Sequence, residues 1–335
     1  DRWTQLKLYQ IAAVKVSKFF IKCFAFKANH CFWIFYHQWR KENSQLISQF
    51  INSKWQVSPM IGSNRYAECE PRWNYLDAVF QHLIYKIIKP TFKYIINPQC
   101  LHLRGPGGIK VAAQQVSAAL KSNYRYQIRA DIRSYYASID HDVLLEQVKS
   151  EFNDPRLLGY LESVISHVTD RGGWIETLRK GIPRRSSLSG FFAALYLKPL
   201  DEAFGKCASL FYLRYNDDII ILVRSRSQFV RAKRRLKKVL AKLKLTLSPT
   251  KTKMGKIHDG FHFLGLCFDR SQNLLKSPKN KPRVSVSLHK RGYHRAREKV
   301  KLMQASAGTP EEVQSYLRRW ASWWGRVHAD VEREC

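Results

Sequence analysis

Paired cysteines, long apolar runs and acids are all scarce in this 335-residue chain. Its seven cysteines (23, 31, 69, 100, 207, 267 and 335) are scattered, odd in number and nowhere spaced as C-x-x-C. That excludes a disulfide framework and a zinc-finger pattern, and it suits a reducing cytoplasm. His258 and His262 lie near Cys267, but with no second cysteine pair we expect no zinc site there. The amino-terminal stretch 11–39 is rich in Ile, Val, Phe and Trp, yet Lys15, Lys18, Lys22 and Lys27 interrupt it. Its longest uncharged run, Ala28 to Trp39, has twelve residues, too few to span a bilayer. No small-residue cleavage site follows an apolar core, so no signal peptide is expected, and no membrane is expected as a partner. The shortage of acids matters most. Asp and Glu number 26 against 58 Lys and Arg, a net charge of +32 with a pI near 10.0. Such an excess repels itself unless a polyanion neutralises it, which points to nucleic acid. An anionic membrane surface is the alternative polyanion, favoured when the cations line one amphipathic helix. Here they run from Lys7 to Arg333. Sixteen Tyr and nine Trp offer stacking surfaces for unpaired bases, although most aromatics in a chain of this size belong to the core.

The few acids are placed tellingly. Two β-prone runs, Phe211 to Tyr215 and Ile219 to Val223, bracket Asn216-Asp217-Asp218, the pattern of a hairpin. Neighbouring carboxylates at a hairpin tip repel one another, and a hard divalent cation such as Mg²⁺ relieves that; the competing reading is a solvated turn that merely favours Asp. Upstream, residues 128–131 form a short strand ending at Asp131. Asp140 reads as a helix N-cap, because Val143, Leu144 and Val148 follow at helical spacing. Asp131 has no such structural role: it stands at a strand end before aromatic residues. A strand-end acid with a distant hairpin pair is the ligand set that two-ion phosphoryl transfer requires.

In order, the chain carries Asp131-x-x-x-Tyr135-Tyr136, Gly181-Ile-Pro-Arg-Arg-Ser-Ser-Leu-Ser189, Tyr215-Asn-Asp-Asp218, Leu247-Ser-Pro-Thr-Lys251-Thr252 and Phe263-Leu-Gly265. This series resembles the successive palm motifs of reverse transcriptases, most of all the bacterial ones: group II intron, retron, diversity-generating and phage-defence enzymes. The resemblance covers roughly residues 75–270 and implies a set of roles. Asp131 and Asp217 are the implied metal ligands, with Asp218 supporting and the carbonyl of Ile132 sharing an ion. The implied cofactor is a pair of Mg²⁺ ions, with Mn²⁺ as the alternative. Tyr136 matches the steric gate that clashes with a ribose 2′-hydroxyl. Arg133 lies where a basic residue meets the incoming triphosphate, and Lys251 where one approaches the leaving pyrophosphate. Cations there make chemical sense on their own, because the transferring phosphoryl group concentrates negative charge. Phe263-Leu264-Gly265 matches the start of the primer grip, and a core strand followed by a turn fits it equally. One motif departs from the family: Arg184-Arg185 and Gly190 stand where Gln-Gly and Pro are usual. Two guanidinium groups there crowd and charge the nascent base pair, so Arg184 is placed at the nucleotide and Arg185 at nucleic acid. The departure puts ordinary copying fidelity in doubt and hints at a specialised branch.

The expected architecture is α+β, a right-hand polymerase of fingers, palm and thumb with a helical amino-terminal extension. Residues 1–60 form the basic helical extension and 61–130 the fingers. Within the fingers a helix from about Leu76 to Lys89 buries Val79, Leu83 and Ile87 and stops at Pro90. The loop Arg104-Gly-Pro-Gly-Gly-Ile-Lys110 follows; Arg104 and Lys110 are candidate backbone contacts, against the simpler reading of a plain turn. Residues 131–270 form the palm. Its helix Gln228 to Lys244 turns Phe229, Leu236, Val239, Leu240 and Leu243 inward and Arg231, Lys233, Arg234, Lys237 and Lys238 outward. Residues 271–335 form a helical thumb that opens on the capping box Thr309-Pro-Glu-Glu312. There Arg318 and Arg319 flank an apolar face of Val313, Tyr316, Leu317, Trp320, Trp324 and Val327, an arrangement suited to a hybrid duplex or simply to packing on the palm. We expect an RNA-directed DNA polymerase that copies a structured, dedicated RNA from dNTPs onto a DNA primer or product, in bacterial antiviral defence. The alternatives are a template-independent or protein-primed polymerase of the abortive-infection type, a retron or diversity-generating enzyme, and a non-catalytic RNA-binding scaffold. The chain starts at Asp1 rather than Met, so further amino-terminal residues are expected, while no length is left after the thumb for a nuclease or integrase domain.

Overall fold

The computed structural model describes residues 41–42, 45, 48–49, 55–62, 71–104, 108–184, 186–270, 284–306 and 309–333. Most of the expected amino-terminal extension, together with Gly105 to Gly107, Arg185 and residues 271–283, lies outside them. In chain order the elements begin with β1 (Met60–Ile61), α1 (Tyr75–Ile88), α2 (Phe92–Ile95), α3 (Gly108–Leu120), β2 (Tyr126–Asp131) and α4 (Tyr135–Ser138). There follow α5 (His141–Glu151), α6 (Pro155–Ile165), β3 (Val168–Asp170), β4 (Ile175–Thr177), α7 (Ser189–Tyr196) and α8 (Lys198–Gly205). Then come β5 (Leu210–Tyr215), β6 (Asp218–Val223), α9 (Arg226–Lys242), β7 (Lys253–Lys256), β8 (Phe261–Phe263) and β9 (Leu266–Arg270). The last are β10 (Val284–Leu288), α10 (Lys290–Ala305) and α11 (Pro310–Arg333). The class is α+β. Along the sequence the chain divides into two interleaved compact units: Asp1–Asn97 with Ser134–Lys198, and Pro98–Arg133 with Pro199–Cys335.

In the first unit, α1 starts where the Asn74 side chain accepts from the Asp77 N–H at 2.7 Å, which satisfies one of the free donors of a helix start. Val79 and Leu83 are buried as expected, and Ile84 and Ile88 share the face while Ile87 is half-buried. As expected, α1 ends ahead of Pro90, at Ile88, one residue before the expected Lys89. Pro90 itself sits in the 3₁₀ turn Lys89–Thr91, where its missing N–H costs nothing, and the chain then runs into α2. Asp140 caps α5 by accepting from the Val143 N–H at 3.2 Å. α7 is buried from Phe191 to Tyr196, with Phe191 stacked on Phe92 at 4.5 Å between centroids. β1 pairs parallel with β3, which pairs antiparallel with β4.

The second unit is built on an antiparallel sheet in the order β5-β6-β2-β7. β6 reads Ile-Ile-Ile-Leu-Val after its first residue because both faces are covered. Ile220 and Leu222 join a core with Ala112, Ala113 and Val116 of α3, and α9 packs across β2 and β6. α9 begins at Arg226, two residues before its expected start, because Ser225 and Gln228 form a reciprocal capping box. A second sheet, β10-β9-β8, adds Phe261, Phe263, Phe268 and Val286 to the same core. The box at the start of α11 forms as expected, Thr309 N–H to Glu312 at 3.2 Å and Glu312 N–H to Thr309 at 3.3 Å. On α11 Leu317 stays 42% exposed while Val313, Tyr316 and Trp320 are half-buried, and the side chains of Trp324 and Val327 lie outside the described ones. No helix among the described residues is long and apolar enough to cross a membrane.

Candidate active site

The hairpin of β5 and β6 pairs Tyr215 with Asp218, so its turn has only two residues, Asn216 and Asp217. Asp218 is thus the first strand residue, a correction to its expected place within the turn. Asn216 takes φ 57°, the left-handed conformation that Asn tolerates better than most side chains, and its Nδ2 donates to Asp217 Oδ1 at 2.8 Å. In the neighbouring ladder Asp131 lies directly opposite Asp218. Opposed residues of an antiparallel pair share a sheet face with Cβ atoms about 4.5–5.5 Å apart, so these two acids face one another. Asp217, one residue away, completes the group.

Two features hold the hairpin tip in place. Arg214 is fully buried in β5 and fork-bonds Asp201 of α8, Nε to Oδ1 at 2.8 Å and a second nitrogen to Oδ2 at 2.5 Å. Its remaining nitrogen donates to the Asn216 carbonyl at 3.0 Å, and Tyr212 Oη donates to Asp201 at 2.6 Å. A buried charge is tolerated only when its donors are taken up in this way. On the other side, the Asp131 carbonyl accepts from the Ser248 N–H at 2.8 Å, the Arg133 N–H donates to the Thr246 carbonyl at 2.9 Å, and Ile132 bridges to Leu247. This ties the segment carrying Lys251 to the end of β2.

The electrostatics of the acids follow from burial and crowding. Burial, then the charges of Asp217 and Asp131, push Asp218 up to about 6, with Arg129 and Lys251 opposing. Burial, with the Asp131 charge adding to it, raises Asp217 as well. Asp131 Oδ1 is buried and accepts no hydrogen bond among the described residues, while Lys251 Nζ stands 3.4 Å from both carboxylate oxygens. At 3.4 Å the contact is an ion pair of long range rather than a strong hydrogen bond, and the lysine side chain is mostly exposed. Crowded, partly desolvated hard oxygens with one unsatisfied acceptor are the donor set a divalent cation of the Mg²⁺ type takes.

The structure therefore gathers Asp131, Asp217, Asp218 and Lys251 in one unit. Ile132 is buried beside them, and the exposed Arg133 follows. Lys110 lies in the first turn of α3, and Arg318 and Arg319 are exposed on α11. Arg104 closes the short 3₁₀ turn His102–Arg104. Gly108 in the following helix is required: a Cβ there would meet the Leu101 carbonyl at 2.7 Å. Tyr136 and Arg184 belong to the other unit, the first half-buried and the second exposed. Their segments are joined by the Ile182 N–H donating to the Tyr136 carbonyl at 2.8 Å and by Gly181, at φ 97°, donating to the Ile139 carbonyl at 2.6 Å. Sequence reasoning missed Arg214, Asp201 and Arg129. Arg129 donates to the Lys251 carbonyl at 2.6 Å and the His262 carbonyl at 2.9 Å. A cation interrupting an apolar strand was the available signal for Arg214.

Known proteins bear on this geometry. Protein YkfC of Escherichia coli (strain K12) is 23% identical to the chain, over 47% of this chain and 50% of that protein. The chain thus spans about half the length of this curated relative. Among solved structures, apo telomerase from Candida tropicalis truncated from its C-terminal domain is 14% identical with a TM-score of 0.46, covering 62% of this chain and 44% of that one. Apo telomerase from the same organism is 13% identical with a TM-score of 0.45, covering 57% and 39%. The family model for reverse transcriptase (RNA-dependent DNA polymerase) matches residues 73–268, more than half of the sequence and all of the strands that carry the acids, and the chain belongs to that family.

Proposed function

We propose that this chain is an RNA-directed DNA polymerase, with Asp131, Asp217 and Asp218 as its catalytic carboxylates. The observation that carries the reading is the facing of Asp131 and Asp218 at adjoining strand ends, with Asp217 in the turn and two of the three acids raised by burial and mutual repulsion. Reverse transcriptase domains use divalent metal ions, and this donor set fits them. With Mg²⁺ bound, the ions would activate the primer 3′-hydroxyl and neutralise charge on the triphosphate. The residues themselves do the remaining work. Asp131 and Asp217 hold the cations, and Asp218 supports them. Lys251, released from Asp131, is free to meet the pyrophosphate. Arg133 approaches the triphosphate, and the family resemblance gives Tyr136 the role of crowding a ribose 2′-hydroxyl.

We extend the reading to a structured, dedicated RNA as template, in a bacterial cytoplasm and an antiviral role. Its support is charge and family resemblance. α9 alone carries eight Lys and Arg and no acid in its 17 residues, a surface that suits a phosphate backbone. A template-independent polymerase is the second reading, favoured by the exposed Arg184 where a polymerase that copies ordinarily has Gln. One experiment separates these. The protein is purified from cells with its nucleic acid, both RNA and DNA are sequenced, and the work is repeated with Asp217→Ala. Complementary DNA to a single co-purifying RNA, lost by about 10²-fold or more in the variant, supports dedicated copying. DNA matching no bound RNA supports the second reading, and equal product from both proteins overturns the assignment of the acid.

A further inference from the structure

We propose that His262, Cys267 and His289 form a zinc-class transition-metal site that pins the β8–β9 hairpin to the start of α10. The three residues are brought together by pairing rather than by sequence proximity. His262 and Cys267 lie directly opposite one another across the β8–β9 ladder, with Nδ1 3.1 Å from Sγ. His289 follows β10, and its N–H donates to the Gly265 carbonyl at 3.0 Å, which brings its ring against the hairpin. The two imidazoles meet edge to face at 4.3 Å between centroids. One ligand atom from each residue lies within 4.8 Å of the other two. His258, which sequence reasoning grouped with His262 and Cys267, instead contacts Asp259 at 2.6 Å.

Two imidazoles and a thiolate suit Zn²⁺ and its neighbours, not the hard Mg²⁺ of the carboxylate site, so this inference does not depend on the polymerase reading. His262 is exposed, and the other two residues are half-buried, which leaves a path for the ion and room for water as a fourth ligand. Binding forms one metal–sulfur and two metal–nitrogen bonds and breaks the S–H bond of Cys267, releasing one proton to solvent per ion. Two features oppose it. Arg129 donates to the His262 carbonyl, and Arg291 follows His289 by two residues, so both place positive charge nearby. His289 Nδ1 also accepts the Arg291 N–H at 3.1 Å as the cap of α10. A ring nitrogen that binds an ion leaves the other protonated, so whichever one His289 uses, the cap bond breaks. The site is therefore weaker than a closed four-ligand one, and occupancy is coupled to the first turn of α10.

The test uses the full chain, stripped with a chelator under reducing conditions and titrated with Co²⁺ as the probe. We expect a thiolate-to-cobalt charge-transfer band that saturates at one ion per chain and is displaced by Zn²⁺. Cys267→Ser removes the band. His289→Asn, which keeps a good capping side chain, weakens binding by more than the roughly 10–100-fold that loss of an outer-shell partner costs. Circular dichroism confirms that each variant is folded; if Cys267→Ser is not, His289→Asn decides. No band in the intact chain, or a band from other cysteines that neither variant changes, overturns the proposal.

Discussion

Replacing Asp218 with Asn should stabilise the metal-free protein, although the residue belongs to the proposed catalytic group. In the folded chain Asp218 is pushed from 3.8 to about 6 by burial and by the charges of Asp217 and Asp131. A carboxyl held that far above its unfolded value disfavours its ionised form in the folded state by about 3 kcal/mol. The direction follows from proton counting. Below about pH 4 the side chain is neutral in both states and the substitution changes little. Between about pH 4 and 6 the unfolded chain loses its proton first, so the wild type loses stability as pH rises. Above about pH 6 the penalty is complete and constant. The expected gain for Asp218→Asn at pH 8 is therefore about 1–3 kcal/mol, the upper value being a ceiling because the amide must replace the carboxyl's contacts. Urea unfolding in chelator at pH 4.5, 6 and 8 measures it. Added Mg²⁺ should close much of the gap by stabilising the wild type more than the variant. A variant less stable than wild type at pH 8, or a difference that does not change between pH 4.5 and 8, refutes the reasoning.

Two further outcomes follow from other parts of the structure. Arg214→Met leaves Asp201 buried without its cation and should cost about 3–5 kcal/mol, while Arg214→Met with Asp201→Leu should recover part of it; chemical denaturation of the three proteins checks this, and a double variant worse than the single contradicts it. Tyr136→Ala should lower the preference for deoxynucleotides over ribonucleotides by roughly 10–200-fold in kcat/KM, and an unchanged ratio in primer extension removes Tyr136 from the role of gate.

Much of the β5–β6 hairpin was legible because its signals are local. Two β-prone runs around Asn-Asp give the strands and turn, and Asp140 with Val143, Leu144 and Val148 gives the capped helix. The range and inward face of α9 were legible to within two residues for the same reason. What sequence reasoning missed was set by long-range pairing. Arg214 and Asp201 are ordinary charges until the fold buries both, and only the ladder reveals that Asp131 opposes Asp218 rather than the turn. His289 lies 22 positions after Cys267, beyond any ligand spacing that a motif search uses, and reaches the hairpin because β10 returns beside β9. The end of α1 was legible as well: the helix stops at Ile88, one residue before the expected Lys89 and ahead of Pro90.

The interleaving of the two units has a consequence for biosynthesis. β2 is made before residues 134–198, which belong to the other unit, while its ladder partners β6 and β7 come after them. Asp131 and Asp218 are 87 positions apart, so at roughly 5–20 residues per second a ribosome takes about 4–17 s to supply the partner. For that interval the nascent strand Tyr126–Asp131 has neither neighbour, and both of its edges are open to other chains. The carboxylate group therefore assembles only once β6 has been made, and a chain stopped before β6 retains an aggregation-prone strand without the proposed catalytic group.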